Sequence, residues 1–147
     1  MTDPDQPGPS SPHLRVLIAD DQRVVRDGLT LVLSLLDGVE VVGTAGDGAQ
    51  AIEKTATLTP DVILMDLHMP VLDGIEATRT IRDKHHKTQV LVLSTYAEDA
   101  DLLPALRAGA TGYLTKDATA EEIQLALVDV AAGRTHLDPT IQQRLVA

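Results

Sequence analysis

Asp61-Val62-Ile63-Leu64-Met65-Asp66-Leu67-His68-Met69-Pro70 decides the fold. Its short apolar run, rich in branched residues, reads as a buried strand. Asp66 breaks the run, and Pro70 prevents the chain from continuing as strand. The carboxylate therefore stands at a strand's carboxyl end. In an open α/β sheet that end is where ligands bind, because the loops there leave a crevice and helix amino termini point into it.

The same pattern repeats on either side. Leu14 to Ala19 is a buried strand ending at Asp20-Asp21. Asp21 to Leu36 then carries a helical stripe of Val24, Val25, Leu29, Val32, Leu33 and Leu36, stopped by Asp37-Gly38. Val39 to Ala45 is a second strand, and Asp47 caps a helix that ends before Pro60. After the opening strand, Leu72 to Arg82 is helical through Ile75, Ala77, Thr78 and Ile81. Gln89 to Leu93 is a strand ending at Ser94-Thr95-Tyr96, and a helix within Glu98 to Ala108 closes at Gly109. Pro104 inside that helix would remove a hydrogen bond and clash with the preceding turn, so the expected start is late, near Leu103, leaving Glu98 to Leu102 loose. Thr111 to Thr115 is a fifth strand with Lys116 at its end. Thr119 to Ala132 is the last long helix, with Thr119 and Glu122 spaced as a capping box and Gly133 as its stop. Five strands alternating with five helices make a (βα)5 chain, an α/β architecture with a doubly wound parallel sheet.

The strand ends carry the chemistry. Asp20 and Asp21, Asp66, Ser94 and Lys116 stand at four of the five carboxyl ends. Three carboxylates converging on one crevice repel one another unless a cation is present, and a hard divalent ion with oxygen ligands, Mg2+, answers that need. A cation held by two carboxylates beside a third that can attack is a phosphoryl-transfer arrangement. Lys116 suits one phosphoryl oxygen and the Ser94 hydroxyl another.

Composition narrows the field. The chain has 147 residues, 44% of them hydrophobic, enough for one domain with a full core. It has no Cys, which excludes disulfides, a thiol nucleophile and Cys-based zinc sites. A net charge of -10, with 12 Lys and Arg and two Tyr as the only aromatic residues, is ill suited to holding nucleic acid. No run approaches the roughly 18 apolar residues of a membrane span, so the expected location is the cytoplasm. Residues 1–13, with four of the eight prolines, read as a disordered tail. Gly43-x-x-Gly46-x-Gly48 fits no phosphate-loop pattern and reads as turn and helix-start glycines, and His85-His86 reads as an exposed loop end.

The acidic pair, Asp66-x-x-x-Pro70-x-x-Asp73-Gly74, Ser94-Thr95, and Ala108-Gly109-Ala110-Thr111-Gly112-Tyr113-Leu114-Thr115-Lys116, in this order at these strand ends, resemble the receiver domain of bacterial two-component response regulators. The resemblance spans roughly Leu14 to Ala132 and implies the flavodoxin-like receiver fold, strand order 2-1-3-4-5, over residues 14–133. It implies that Asp66 is a phosphoacceptor served by a sensor histidine kinase. Mg2+ would be held by Asp21 and Asp66, by Asp20 through water, and by the backbone carbonyl of His68. Ser94 and Tyr113 would form the switch, Lys116 would contact the phosphoryl group, and the side chain of His68 would tune phosphoryl lifetime by gating water. The kinase surface would lie around the helix from Asp21 to Leu36. The output surface would involve Pro104 to Ala108 or Glu121 to Ala132. A homodimer strengthened by phosphorylation is expected, with Ile123, Ala126, Leu127 and Val130 packing partly on the sheet and partly available for pairing.

Asp117 after Lys116, and Gly133-x-x-x-Leu137-Asp138-Pro139 after the last helix, resemble the NarL or LuxR type. That type carries a helix-turn-helix domain downstream, so residues 134–147 read as the start of a linker toward an effector absent from this sequence, through which DNA would be bound. The chain is thus expected to be a switch and not a turnover enzyme. Two alternatives remain: a phosphate-independent dimerisation or binding module of the same fold, and a Mg2+-dependent phosphatase with an aspartyl nucleophile. In such phosphatases the second residue after the nucleophile is an acidic general acid, the place His68 takes here.

Overall fold

The structure is a computed structural model, which describes residues 13–95 and 99–146. The stretch read as a disordered tail falls, up to residue 12, outside the described residues, as do Tyr96 and Glu98.

The chain order is β1 (Leu14–Ala19), α1 (Arg23–Ser34), β2 (Val39–Ala45), α2 (Gly48–Leu58), β3 (Val62–Met65), α3 (Gly74–Lys84), β4 (Gln89–Ser94), α4 (Asp99–Ala108), β5 (Gly112–Thr115), α5 (Ala120–Ala131), β6 (His136–Leu137) and α6 (Pro139–Val146). The strands form one sheet in the order β2-β1-β3-β4-β5-β6, every neighbouring pair parallel. The expected order 2-1-3-4-5 is therefore present, extended by a sixth strand. The chain leaves β1 for β2 on one side and reaches β3 on the other, so the crevice of such a sheet opens at the ends of β1 and β3.

Alternation along the strands divides the core into two layers. Leu17, Ile63, Met65, Val90, Val92 and Tyr113 face one way, toward Ala77 and Ile81 of α3 and Leu102 and Ala105 of α4. Val16, Ile18, Leu64, Leu91, Leu93 and Leu114 face the other, toward Leu33 of α1 and Ile123, Ala126, Leu127 and Val130 of α5. A strand covered on both faces needs no polar alternation, which explains the unbroken apolar run at Val62.

Local chemistry sets the helix ends. Asp47 accepts from the Gln50 N–H, and Thr119 and Glu122 form the expected capping box. Gly109 and Gly133 take positive φ, 114° and 83°, as helix-terminating glycines do. α3 starts two residues later than expected. The Leu72 carbonyl accepts the Gly48 N–H at 2.9 Å, and Asp73 caps the helix by accepting from the Glu76 N–H.

Two stretches differ from expectation. α4 does not start near Leu103: it runs from Asp99 with Pro104 in its interior. Leu102, expected to be loose, is 2% exposed and packs in the core with Ala105, which offsets the hydrogen bond Pro104 cannot make. Residues 134–146, expected to open a linker, turn back instead. β6 pairs with β5 through His136 N–H to the Thr111 carbonyl at 2.9 Å and Asp138 N–H to the Tyr113 carbonyl at 3.1 Å, and Ile141 of α6 is fully buried.

Candidate functional site

The sheet's own hydrogen bonds deliver the site. Asp66 N–H donates to the Ala19 carbonyl at 2.9 Å, Asp20 N–H to Ala45 at 3.0 Å and Lys116 N–H to Ser94 at 2.7 Å. Each ladder thus runs one residue past its strand and fixes the backbone of a rim residue. The side chains then converge. Asp20, Asp21 and Asp66 offer carboxylate oxygens within 4.8 Å of one another. Lys116 Nζ donates to Asp20 Oδ2 at 2.7 Å and lies 3.6 Å from Asp66 Oδ2. The Ser94 side chain ends β4 on the same rim and is buried.

Asp20 and Asp66 are almost wholly buried, whereas Asp21 is exposed. Burial pushes the Asp66 carboxyl up from its ordinary value. Lys116 and the His68 N–H, which donates to Asp66 Oδ1 at 3.2 Å, oppose that rise, while Asp20 and Asp21 add to it. For Lys116, burial works against the charge, but the hydrogen bond to Asp20 and the nearness of Asp66 outweigh it and raise the ammonium above the usual lysine value. A divalent cation fits this donor set. Three hard carboxylate oxygens lie close together, with the Lys116 ammonium as the one cation that pairs with them among the described residues.

Neighbouring elements hold these groups in place. Arg26 of α1 donates to the Asp20 carbonyl at 2.8 Å, and the Asp20 side chain accepts from Gln22 N–H at 2.9 Å. Gly74 lies so close beneath Asp66 that a methyl there would collide with the Asp66 carbonyl oxygen and the Leu67 Cα. Between them Val71 takes φ 67°, a left-handed conformation that costs a β-branched residue of order 1–3 kcal/mol.

Asp20, Asp21, Asp66, Ser94 and Lys116 meet at this rim, and the main chain of His68 reaches it through its N–H on Asp66. Tyr113 is fully buried in the layer that holds Leu102 and Ala105. The His68 side chain pairs with Asp101 of α4, Nε2 to Oδ2 at 2.9 Å. Sequence reasoning missed Asp101 and the Asp73 cap. Asp73-Gly74 before a helical stripe was a local signal for the cap, whereas no spacing rule links His68 to a residue 33 positions on.

Among the described residues no helix is long and apolar enough to cross a membrane. The sequence profile of the response regulator receiver domain matches residues 16–128. The transcriptional regulatory protein LnrK of Bacillus subtilis is 38% identical over 133 residues, covering 90% of this chain and 60% of LnrK. The chain spans about three fifths of the length of the curated relatives it matches, 60% and 62% for the first two. A LuxR-family two-component response regulator from Aurantimonas is 34% identical, with a TM-score of 0.85 over 91% of this chain and 96% of that one. The receiver of RcsB from Salmonella enterica, solved with the phosphomimetic BeF3-, is 25% identical, with a TM-score of 0.79 over 89% of this chain and 97% of that one. RcsB is also known as dimers bound to DNA, 26% identical, with a TM-score of 0.81 over 91% of this chain and 68% of that one. By profile, by fold and by the rim on which its acidic residues meet, this chain belongs to the family of response regulator receiver domains, and its relatives include LuxR-type regulators of transcription.

Proposed function

We propose that this chain is a phosphorylation-controlled switch in which Asp66 takes a phosphoryl group from a sensor histidine kinase. The observation that carries the reading is the placement of Asp66: a buried carboxylate at the end of β3, flanked by Asp20 and Asp21 on one side and Lys116 on the other. An Asp66 carboxylate oxygen forms the new bond to phosphorus as the bond to the kinase imidazole breaks and that ring leaves. Asp21, Asp66, the His68 carbonyl and, through water, Asp20 would hold Mg2+, which supplies positive charge to the phosphoryl oxygens. Lys116 steadies one of those oxygens and Ser94 donates to another. The transfer adds about -2 charge and three strong acceptors to the rim. Ser94 and α4 respond, and Tyr113, packed in one layer with Leu102 and Ala105, carries the change to the α4–β5 side.

The output follows from the relatives. LnrK is a transcriptional regulator and RcsB binds DNA as dimers. With a charge of -10 this chain repels a phosphate backbone, so contact with DNA belongs to an effector region outside the receiver, which here also takes in β6 and α6 beyond residue 133. The homodimer uses the apolar surface of α1, its C-terminal end and α5, where Leu31, Leu35, Leu125 and Val128 are exposed. Ile123, Ala126, Leu127 and Val130 lie inside the core and cannot serve. The absence of Cys suits a reducing cytoplasm.

Calorimetric titration with beryllofluoride tests the reading. Binding is expected in Mg2+, with loss on chelation and in Asp66→Asn. A wild-type protein that binds none at saturating Mg2+ contradicts it.

A further inference from the structure

Resting on that reading, we infer that Asp101 is a positioning residue for the Asp66 site and acts through His68. His68 faces two ways. Its main-chain N–H donates to Asp66 Oδ1 at 3.2 Å, and its ring Nε2 meets Asp101 Oδ2 at 2.9 Å. The ring is 66% exposed and the Asp101 side chain 16%, so the pair lies at the surface with its acid end set into α4. The Asp66 loop is thereby tied to the first turn of α4.

The loop from Asp66 to Asp73 is anchored by Leu67 and Met69, 2% and 8% exposed, on either side of His68. Val71 at φ 67° is 81% exposed, and the His68 ring itself lies at the surface, so packing holds the backbone here and not the ring. Besides the His68 N–H bond to Asp66 Oδ1, its internal bonds include Leu72 N–H to the Pro70 carbonyl at 2.7 Å and Gly74 N–H to the Leu67 carbonyl at 2.8 Å, neither of which reaches the His68 ring. In α4, Pro104 has no N–H to offer the carbonyl four residues back, so the first turn is one bond short. An acid in that turn also faces the positive end of the helix dipole, which holds the Asp101 carboxylate in place without the histidine. Asp101 is therefore the fixed post and His68 the part it holds. Fixing His68 fixes the N–H on Asp66 and the carbonyl expected to face the cation, so the site is organised before the phosphoryl group arrives.

The test is the Mg2+ concentration that half-saturates the beryllofluoride complex, followed by 19F NMR in wild type, Asp101→Ala, His68→Ala and the double variant. Each single substitution is expected to raise it about threefold, the scale of a partly exposed ion pair. The double variant is expected to go no further, because the two residues act as one unit. Asp101→Asn keeps an oxygen that can accept from Nε2–H and is expected to lose less than Asp101→Ala. Since His68→Ala leaves the α4 sequence intact, a shift in that variant is not a failure of the helix. Unchanged single variants beside a wild type that binds, or single effects that multiply in the double, overturn the inference. A wild type that binds no beryllofluoride removes the phosphoacceptor reading itself and this inference with it.

Discussion

Asp66 is a carboxylate held where its charge is costly. Burial raises its pKa, and Asp20 and Asp21 reinforce the rise. In metal-free protein the folded state therefore binds Asp66's proton more tightly than the unfolded chain does. Its contribution to stability is present below the ordinary carboxylate pKa and is lost as pH rises through the raised value. Asp66→Asn is accordingly expected to stabilise the metal-free protein at neutral pH, on the order of 1 kcal/mol or roughly 3 °C in Tm, with the gain vanishing on acidification and Mg2+ stabilising the wild type more than the variant. Thermal melts at two pH values, with and without Mg2+, check all three. At this scale the sequence was informative where a residue's role depends on its place at a strand end: Asp20, Asp66, Ser94 and Lys116 all stand where the apolar runs stop. It was silent on the partner of the His68 ring, which is set by the approach of α4 and not by any local pattern.

Elements were legible to the degree that their signals were local. The Asp47 cap and the Thr119–Glu122 box each lie within four residues, and both formed. Pro104 misled, because helix propensity argued for a late start while burial of Leu102 and Ala105 argued for a full helix, and burial won. Pro104→Ala is expected to stabilise the protein by about 2 kcal/mol and to slow amide exchange in the first turn of α4. Urea titration and hydrogen exchange check both, and an unchanged or lower midpoint would mean that the proline's rigidity in the unfolded chain outweighs its cost in the helix. β6 escaped notice since two residues show no periodicity. Its pairing depends on β5 and on the Asp129 carboxylate, which receives Arg134 and His136, the latter at 2.8 Å.

Across the whole molecule, the order of the strands came from the resemblance to a family, since alternation alone says parallel and not which neighbour. The pairing of Lys116 with Asp20, 96 residues apart, follows once that order is known. The surface left after folding points to self-association: Leu31 of α1 and Leu125 of α5 are each 63% exposed, Leu35 just past α1 is 76% exposed, and Gln124 of α5 donates to the Asp37 carbonyl in the loop after α1. Sedimentation is expected to show beryllofluoride with Mg2+ shifting wild type toward dimer and Leu125→Glu remaining monomeric at the same concentration. A monomer throughout would remove the dimer and leave the phosphoacceptor untouched. The central claim, that Asp66 takes the phosphoryl group, is tested most directly by intact mass after incubation with acetyl phosphate and Mg2+, comparing wild type with Asp66→Ala. One added phosphoryl group on the wild type, dependent on Mg2+ and absent from the variant, is the expected result. The same addition on both proteins would contradict the claim.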